Sequence, residues 1–303
     1  MNPLRIFQVD SFTTTPFTGN PAGVVLGADG LNEQAMQSIA RELNNSETAF
    51  VLAPDGPDHE VRVRFFTPTV EVPSCGHATI AAHYVRARVL GLPRCTVLQK
   101  IGAGILPVDI MPDADDYTIV MTQGAIEISG NLDSKTEMEV LSALGLLGSD
   151  RNARFPLRIA STGHSKVMVG VNSRDVLNGL RPNMAALTKL SRCLGCNGYY
   201  VFTFDSDDPE ILVHGRMFAP AIGIPEDPVT GNANGPLGAY LVDRKFARTN
   251  PLVFKARQGE ACGRPGTVEV TVESENGKPT LVKVAGRAVI VFEAELGNLF
   301  APA

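Results

Sequence analysis

FFTPTVEVPSCGHATIAAHYV at 65–85 and MFAPAIGIPEDPVTGNANGPLGAYL at 217–241 read as one passage written twice. Phe66, Pro68 and Pro73 match Phe218, Pro220 and Pro225 at identical spacing. The second copy then carries three extra residues before Gly231-Asn232-Ala233 lines up with Gly76-His77-Ala78. Two more blocks recur in the same order: TGNPAGVVL at 18–26 with TGHSKVMVG at 162–170, and NNSETAFVL at 44–52 with GCNGYYVF at 195–202. A single glycine turn repeats by chance; three ordered blocks about 145 to 155 residues apart do not. The chain reads as two homologous lobes, each mixed α and β.

Local patterns agree. RIFQVDSF at 5–12 and TAFVL at 48–52 are strand-like, and VRVRFF at 61–66 alternates apolar and arginine positions as a half-buried strand does. Between them Met36, Ile39, Ala40 and Leu43 lie on one helical face, with Asn32 placed as N-cap. Helices are expected at 77–90 and about 233–243. Further strands are expected at 116–121, 166–171, 198–204, 268–272 and 287–296. The polar SGNLDSKTE at 129–137 is the expected lobe boundary region, with lobes drawn as 1–125 plus 285–303 and 126–284.

Bulk properties narrow the function. A chain of 303 residues, 44% hydrophobic and 19% charged, has ample material for a core. A formal charge of −5 offers no basic footprint for nucleic acid. No apolar run approaches the ~18 residues that span a bilayer. MNPLRIFQVDSF lacks the layout of a signal peptide, so a cytoplasmic location is expected. Five cysteines, an odd number, do not form a disulfide framework. The CLGC at 193–196 has no second pair, and the histidines at 59, 77, 83, 164 and 214 have no carboxylate at ligand spacing, so no metal is expected.

The repeated blocks hold the protonatable groups Glu47, Cys75 with His77, and Asp227. Each has a plain alternative: an exposed carboxylate after a helix for Glu47, a helix-start side chain bonded to its own backbone for His77, a turn or N-cap for Asp227. Both glycine turns open helices, whose first-turn N–H groups favour an anion. Equivalent turns of a duplicated enzyme are expected in an inter-lobe cleft. The absence of GxGxxG and P-loop patterns argues against a nucleotide. A two-base racemase needs a cysteine in each lobe, but no cysteine falls between Pro225 and Tyr240. His77, if Gly76 turns the chain into a helix, is expected to point away from Cys75.

FTGNPAGVVL, SETAF, CGHAT, RMFAP, EDPVTGNANGPLGAYL and QGEACGRPG together resemble the phenazine-biosynthesis (PhzF) family, and more closely its uncharacterised YddE-type isomerase branch. The resemblance extends over nearly the whole chain. It implies an α+β fold of the diaminopimelate-epimerase-like type: two pseudo-symmetric lobes, each a mixed sheet or barrel around a central helix. It also implies a homodimer, no cofactor, and isomerisation of a small molecule. On the matching positions the catalytic glutamate is Glu47 of SETAF, supported by His77 of GHAT and Asp227 of EDPVTG. Asn20, Ser46, Gly76, Gly231 and Asn232 are expected to bind substrate. Two positions depart from the phenazine enzyme's pattern: Asn232 stands where it has serine, and Cys75 where it has another residue. The expected chemistry is general acid–base transfer of a proton between carbons by Glu47, with helix-start N–H groups on the substrate's oxygens. An epimerase working through Cys75 and a non-catalytic binding protein are the alternatives.

Overall fold

The computed structural model describes residues 4–246 and 249–297; the outer ends of the expected first lobe, 1–3 and 298–303, lie outside the described residues. The chain divides into two compact units, one running to Thr122 and resuming at Ala285, the other Gln123–Val284. SGNLDSKTE does not mark the division: Asp133 caps a helix of the second unit, accepting from the N–H groups of Lys135 and Thr136. A polar stretch of this kind reads as a linker, but here it is a helix start.

The first unit holds β1 (Leu4–Ser11), β2 (Asn20–Leu26), α1 (Glu33–Leu43), β3 (Thr48–Leu52), β4 (Val61–Phe66), β5 (Glu71–Val72), α2 (Gly76–Leu90), β6 (Cys95–Ile101), β7 (Gly104–Asp113) and β8 (Asp116–Thr122). The second holds β9 (Glu127–Ile128), α3 (Ser134–Leu144), β10 (Arg158–Ser161), β11 (Lys166–Gly170), α4 (Arg174–Gly179), α5 (Met184–Leu194), β12 (Gly198–Thr203), β13 (Ile211–Ala219), β14 (Ile224–Asp227), α6 (Gly231–Asp243), β15 (Leu252–Gln258), β16 (Gly266–Glu275) and all of β17 (Lys278–Gly286) but its last two residues. The last strand, β18 (Ala288–Leu296), returns to the first unit and runs antiparallel to β1.

The two units follow one plan. In the first, β1–β2 is antiparallel, β2–β3 parallel, β3–β4 and β4–β5 antiparallel, and β4–β6 parallel. In the second, β10–β11 is antiparallel, β11–β12 parallel, β12–β13 and β13–β14 antiparallel, and β13–β15 parallel. The parallel pairs occur in equivalent register, Gly23 opposite Thr48 and Val167 opposite Tyr199. The repeat read from the sequence is therefore a repeat of topology.

In each unit the helix after the glycine turn is the core. Almost every residue of α2 from Gly76 to Val85 is buried, and so is nearly all of α6 from Gly231 to Val242. Such helices show no polar stripe because no side faces water. Small residues make the enclosure possible. A Cβ on Gly238 would stand 2.7 Å from Val272 Cγ2 and 2.9 Å from Val270 Cγ1, so α6 lies directly against β16. By contrast α1 buries only Ala35, Met36, Ile39 and Ala40, and its N-cap Asn32 accepts from the Ala35 N–H at 2.9 Å. Among the described residues no helix is long and apolar enough to cross a membrane.

Candidate active site

Glu47 sits in the turn between α1 and β3, and three separate constraints hold it there. Asn44 closes α1 in the left-handed conformation (φ 52°), its N–H bonded to the Ala40 carbonyl. Asn45 exchanges two amide hydrogen bonds with Gln8 of β1, at 3.0 and 2.8 Å. The Glu47 carbonyl accepts from the Gly23 N–H at 3.2 Å, where the parallel pairing of β2 and β3 begins. Its backbone is fixed before its side chain is considered.

The carboxylate is buried, 8% exposed, and its Oε2 has no hydrogen-bond partner. Its near neighbour is His77 Nε2, 3.4 Å away. An unsatisfied buried acceptor costs about 1–3 kcal/mol, more when charged, which makes this oxygen a candidate for a functional role.

His77 lies in the first turn of α2, its carbonyl tied to Ser11 Oγ at 2.8 Å. Its imidazole does not bond its own backbone. Nε2 is 3.2 Å from Ser46 Oγ, and Nδ1 is 3.5 Å from Cys75 Sγ. The expectation that His77 points away from Cys75 is corrected. Cys75 is the N-cap and His77 the second helical residue, so both side chains fold onto the same side of the helix start. The ligand atoms of Glu47, Cys75 and His77 all lie within 4.8 Å of one another. No spacing in the sequence brought a carboxylate to the histidine; the fold does. Asn20 is buried at the start of β2, in register with Ser11.

In the second unit Asp227 ends β14, 7% exposed, and its carboxylate accepts from Thr230 Oγ1. Thr230 is the N-cap of α6 but spends its hydroxyl on Asp227, so neither α2 nor α6 has a side-chain cap. Gln258 closes the network: its Nε2 donates to the Asp227 carbonyl at 2.8 Å, while its Oε1 accepts from the Thr230 N–H at 3.2 Å and from Asn234 at 3.1 Å. Asn234 in turn accepts from the Tyr200 hydroxyl at 2.6 Å. Asn232 Oδ1 accepts from Gln123 Nε2 at 3.0 Å, and Gln123 Oε1 from Thr162 at 2.7 Å. Gly231, between the cap and Asn232, is buried.

Nearby in this unit Lys166 is 3% exposed, and burial draws its ammonium down to about 8, against the opposing pull of Asp227 and Cys196. Arg216, from RMFAP, grips Glu226 with two bonds of 2.8 Å, anchoring β14 just before Asp227. Sequence reasoning missed Gln8, Asn45, Gln123, Thr230, Asn234, Gln258 and Lys166. All but Gln123 lay in quoted stretches, Thr230 and Asn234 in EDPVTGNANGPLGAYL and Gln258 in QGEACGRPG among them, where their role could have been sought. No disulfide joins the five cysteines; Cys193 of CLGC is exposed and Cys196 packs in a core.

The repeat makes the units' difference explicit. Aligning 44–52 with 195–202 sets Glu47 against Gly198 and Ser46 against Asn197, while His77 matches Asn232. Gly198 has no room for a side chain: a Cβ there would lie 2.5 Å from the Phe218 carbonyl oxygen and 3.0 Å from Ala219 Cβ.

The sequence profile described as "Phenazine biosynthesis-like protein" matches residues 9–294. An uncharacterized isomerase of Clostridium acetobutylicum is 56% identical over 294 residues, covering 96% of this chain and 97% of that protein. The uncharacterized isomerase YddE of Escherichia coli K12 is 49% identical over 293 residues, covering 96% and 97%. A solved PhzF-family phenazine biosynthesis protein of Bacillus anthracis is 33% identical with a TM-score of 0.86, covering 98% of this chain and 99% of that one.

Proposed function

We propose, from the premise that this chain belongs to the phenazine biosynthesis-like family of isomerases, that it moves a proton between carbons of a small carboxylate-bearing metabolite by Glu47 acid–base catalysis, without a cofactor. The observation that carries this is Glu47 Oε2: a buried carboxylate oxygen without a hydrogen bond, 3.4 Å from an imidazole nitrogen. A base in that state has a lone pair ready for a C–H proton. His77 stands beside it to hold the carboxylate's orientation and share the proton.

The first-turn N–H groups at Gly76 and His77, which Cys75 cannot cap with an oxygen, are the donors for charge that builds on substrate oxygen as the proton leaves carbon. Asn20 and Ser46 are assigned to substrate binding. Asp227, Gly231 and Asn232 are assigned to a second polar group of the substrate, on the family likeness and on the rigid network behind them. A homodimer belongs to the same proposal and is read by analytical ultracentrifugation.

The experiment is a screen of small carboxylic acids incubated in deuterated water with wild type and with Glu47→Gln. A compound deuterated and rearranged by wild type alone supports the reading; full activity of Glu47→Gln on that compound overturns it.

Cys75 Sγ at 3.5 Å from His77 Nδ1 favours a second reading, an epimerase in which the thiol exchanges the proton with His77 as its base. Undiminished turnover by Cys75→Ala excludes it.

A further inference from the structure

We propose that Glu47, Cys75 and His77 form a binding site for a thiophilic divalent cation such as Zn2+, and that its occupation reversibly blocks the isomerase. Three chemically different ligands converge: a thiol, an imidazole and a carboxylate, one atom of each within 4.8 Å of the others. His77 Nε2 is the hinge, 3.4 Å from Glu47 Oε2 and 4.0 Å from Cys75 Sγ. Bond lengths of about 2.0–2.3 Å in a tetrahedral zinc site set ligand atoms about 3.3–3.6 Å apart. The nitrogen–oxygen pair already meets that spacing; the sulfur lies beside the ring, nearer Nδ1 than Nε2, and joins by a change of Cys75 rotamer that swings it to the Nε2 side.

An independent observation points to the same occupant. The inward oxygen of Glu47 is buried with no hydrogen bond to it, and a cation is one partner that satisfies such an oxygen. The ligand set also selects the metal. Thiolate with imidazole favours zinc and its neighbours over magnesium or calcium, which prefer all-oxygen sites.

Binding involves no redox step. The Cys75 S–H proton passes to solvent as the sulfur–metal bond forms, and His77 coordinates through Nε2 with its hydrogen on Nδ1. The cation then occupies the Glu47 lone pair needed to abstract a proton. Inhibition rests on the function proposed for Glu47; binding does not.

The test uses full-length protein stripped with a chelator and titrated with Co2+ as a spectroscopic probe. Expected is one equivalent of Co2+ with a sulfur-to-cobalt charge-transfer band in the near ultraviolet, displaced by Zn2+ and removed by EDTA. The band survives Cys193→Ser, the exposed cysteine of CLGC, and is lost in Cys75→Ser. In Glu47→Gln and His77→Gln the Co2+ affinity falls about tenfold or more, as even loss of an outer-shell partner does at such sites. Thermal melts show that each variant is folded. Absence of a thiolate band in wild type, or its survival in Cys75→Ser, overturns the site. Zn2+ that binds there while turnover continues unchanged overturns the inhibitory role. Should Glu47 prove not to be the base, the Co2+ spectrum still decides the site by itself.

Discussion

His77 Nε2 lies 3.4 Å from Glu47 Oε2, across the gap between the start of α2 and the end of the α1–β3 turn. Neither residue is near the other in the chain, and each is locked from behind, Glu47 by Gly23 and the Asn45–Gln8 clasp, His77 by Ser11.

Glu47→Gln keeps the shape and removes the base. Proton exchange with solvent should fall by about 10²–10⁴-fold, the usual worth of a positioned acid–base group. Because Oε2 has no hydrogen bond to lose, the variant should melt no lower than wild type. Deuterium incorporation by mass spectrometry and a thermal melt together check this; a large drop in melting temperature would show that the carboxylate serves the fold.

Asn45→Ala frees the turn that carries Glu47. Losing an exchanged pair of amide bonds should cost about 1–3 kcal/mol of stability. Turnover should drop further than that loss explains, since a misplacement of about 1 Å can cost about 10²-fold. Gln8→Ala should give the same phenotype, and kinetics beside urea unfolding separate the two effects.

Gly235→Ala tests how Asn232 is held. A Cβ at Gly235 would collide with Gln123 Oε1, the end of a flexible side chain whose Nε2 holds Asn232. Gln123 can swing aside, so the stability cost should stay near the ~1–3 kcal/mol typical of mild overpacking. Asn232 and Thr162 then lose their partner, and substrate KM should rise more than kcat falls. A kcat loss with unchanged KM would remove Asn232 from substrate binding.

His83 gives the acid limb of stability. It is fully buried in α2, its Nε2 3.0 Å from Gln99 Oε1 and its Nδ1 3.2 Å from Arg86, and burial with the arginine's charge drops it from 6.5 to about 3. As pH falls below 6.5 the unfolded chain takes a proton that the folded chain refuses until about 3. His83 therefore supports full stability above 6.5 and loses it progressively down to about 3. Urea midpoints across that range should fall with pH, with a shallower slope in His83→Gln.

The architecture was legible because duplication leaves a pattern that no single motif does. Blocks at 18–26, 44–52 and 65–85 returned in order and placed both core helices, even though α2 and α6 lack the one-sided pattern that betrays an ordinary helix. Glu47 and Asp227 stood out as candidates through their motifs. What holds them was not. The Gln8–Asn45 clasp joins residues 37 apart, and Gln258 reaches Asp227 across 31. An amide in a strand gives no local sign of such a task. The facing of Cys75 and His77 was misread because a glycine between them suggested divergence, whereas a helix start sends both side chains one way.

Gly198 sets the two halves apart. Its position matches Glu47, yet the carbonyl of Phe218 fills the space a side chain would need. An acidic side chain there needs the start of β12 and the end of β13 to move apart. The two copies of the plan are therefore not interchangeable: a carboxylate fits just before β3 and is shut out at the start of β12.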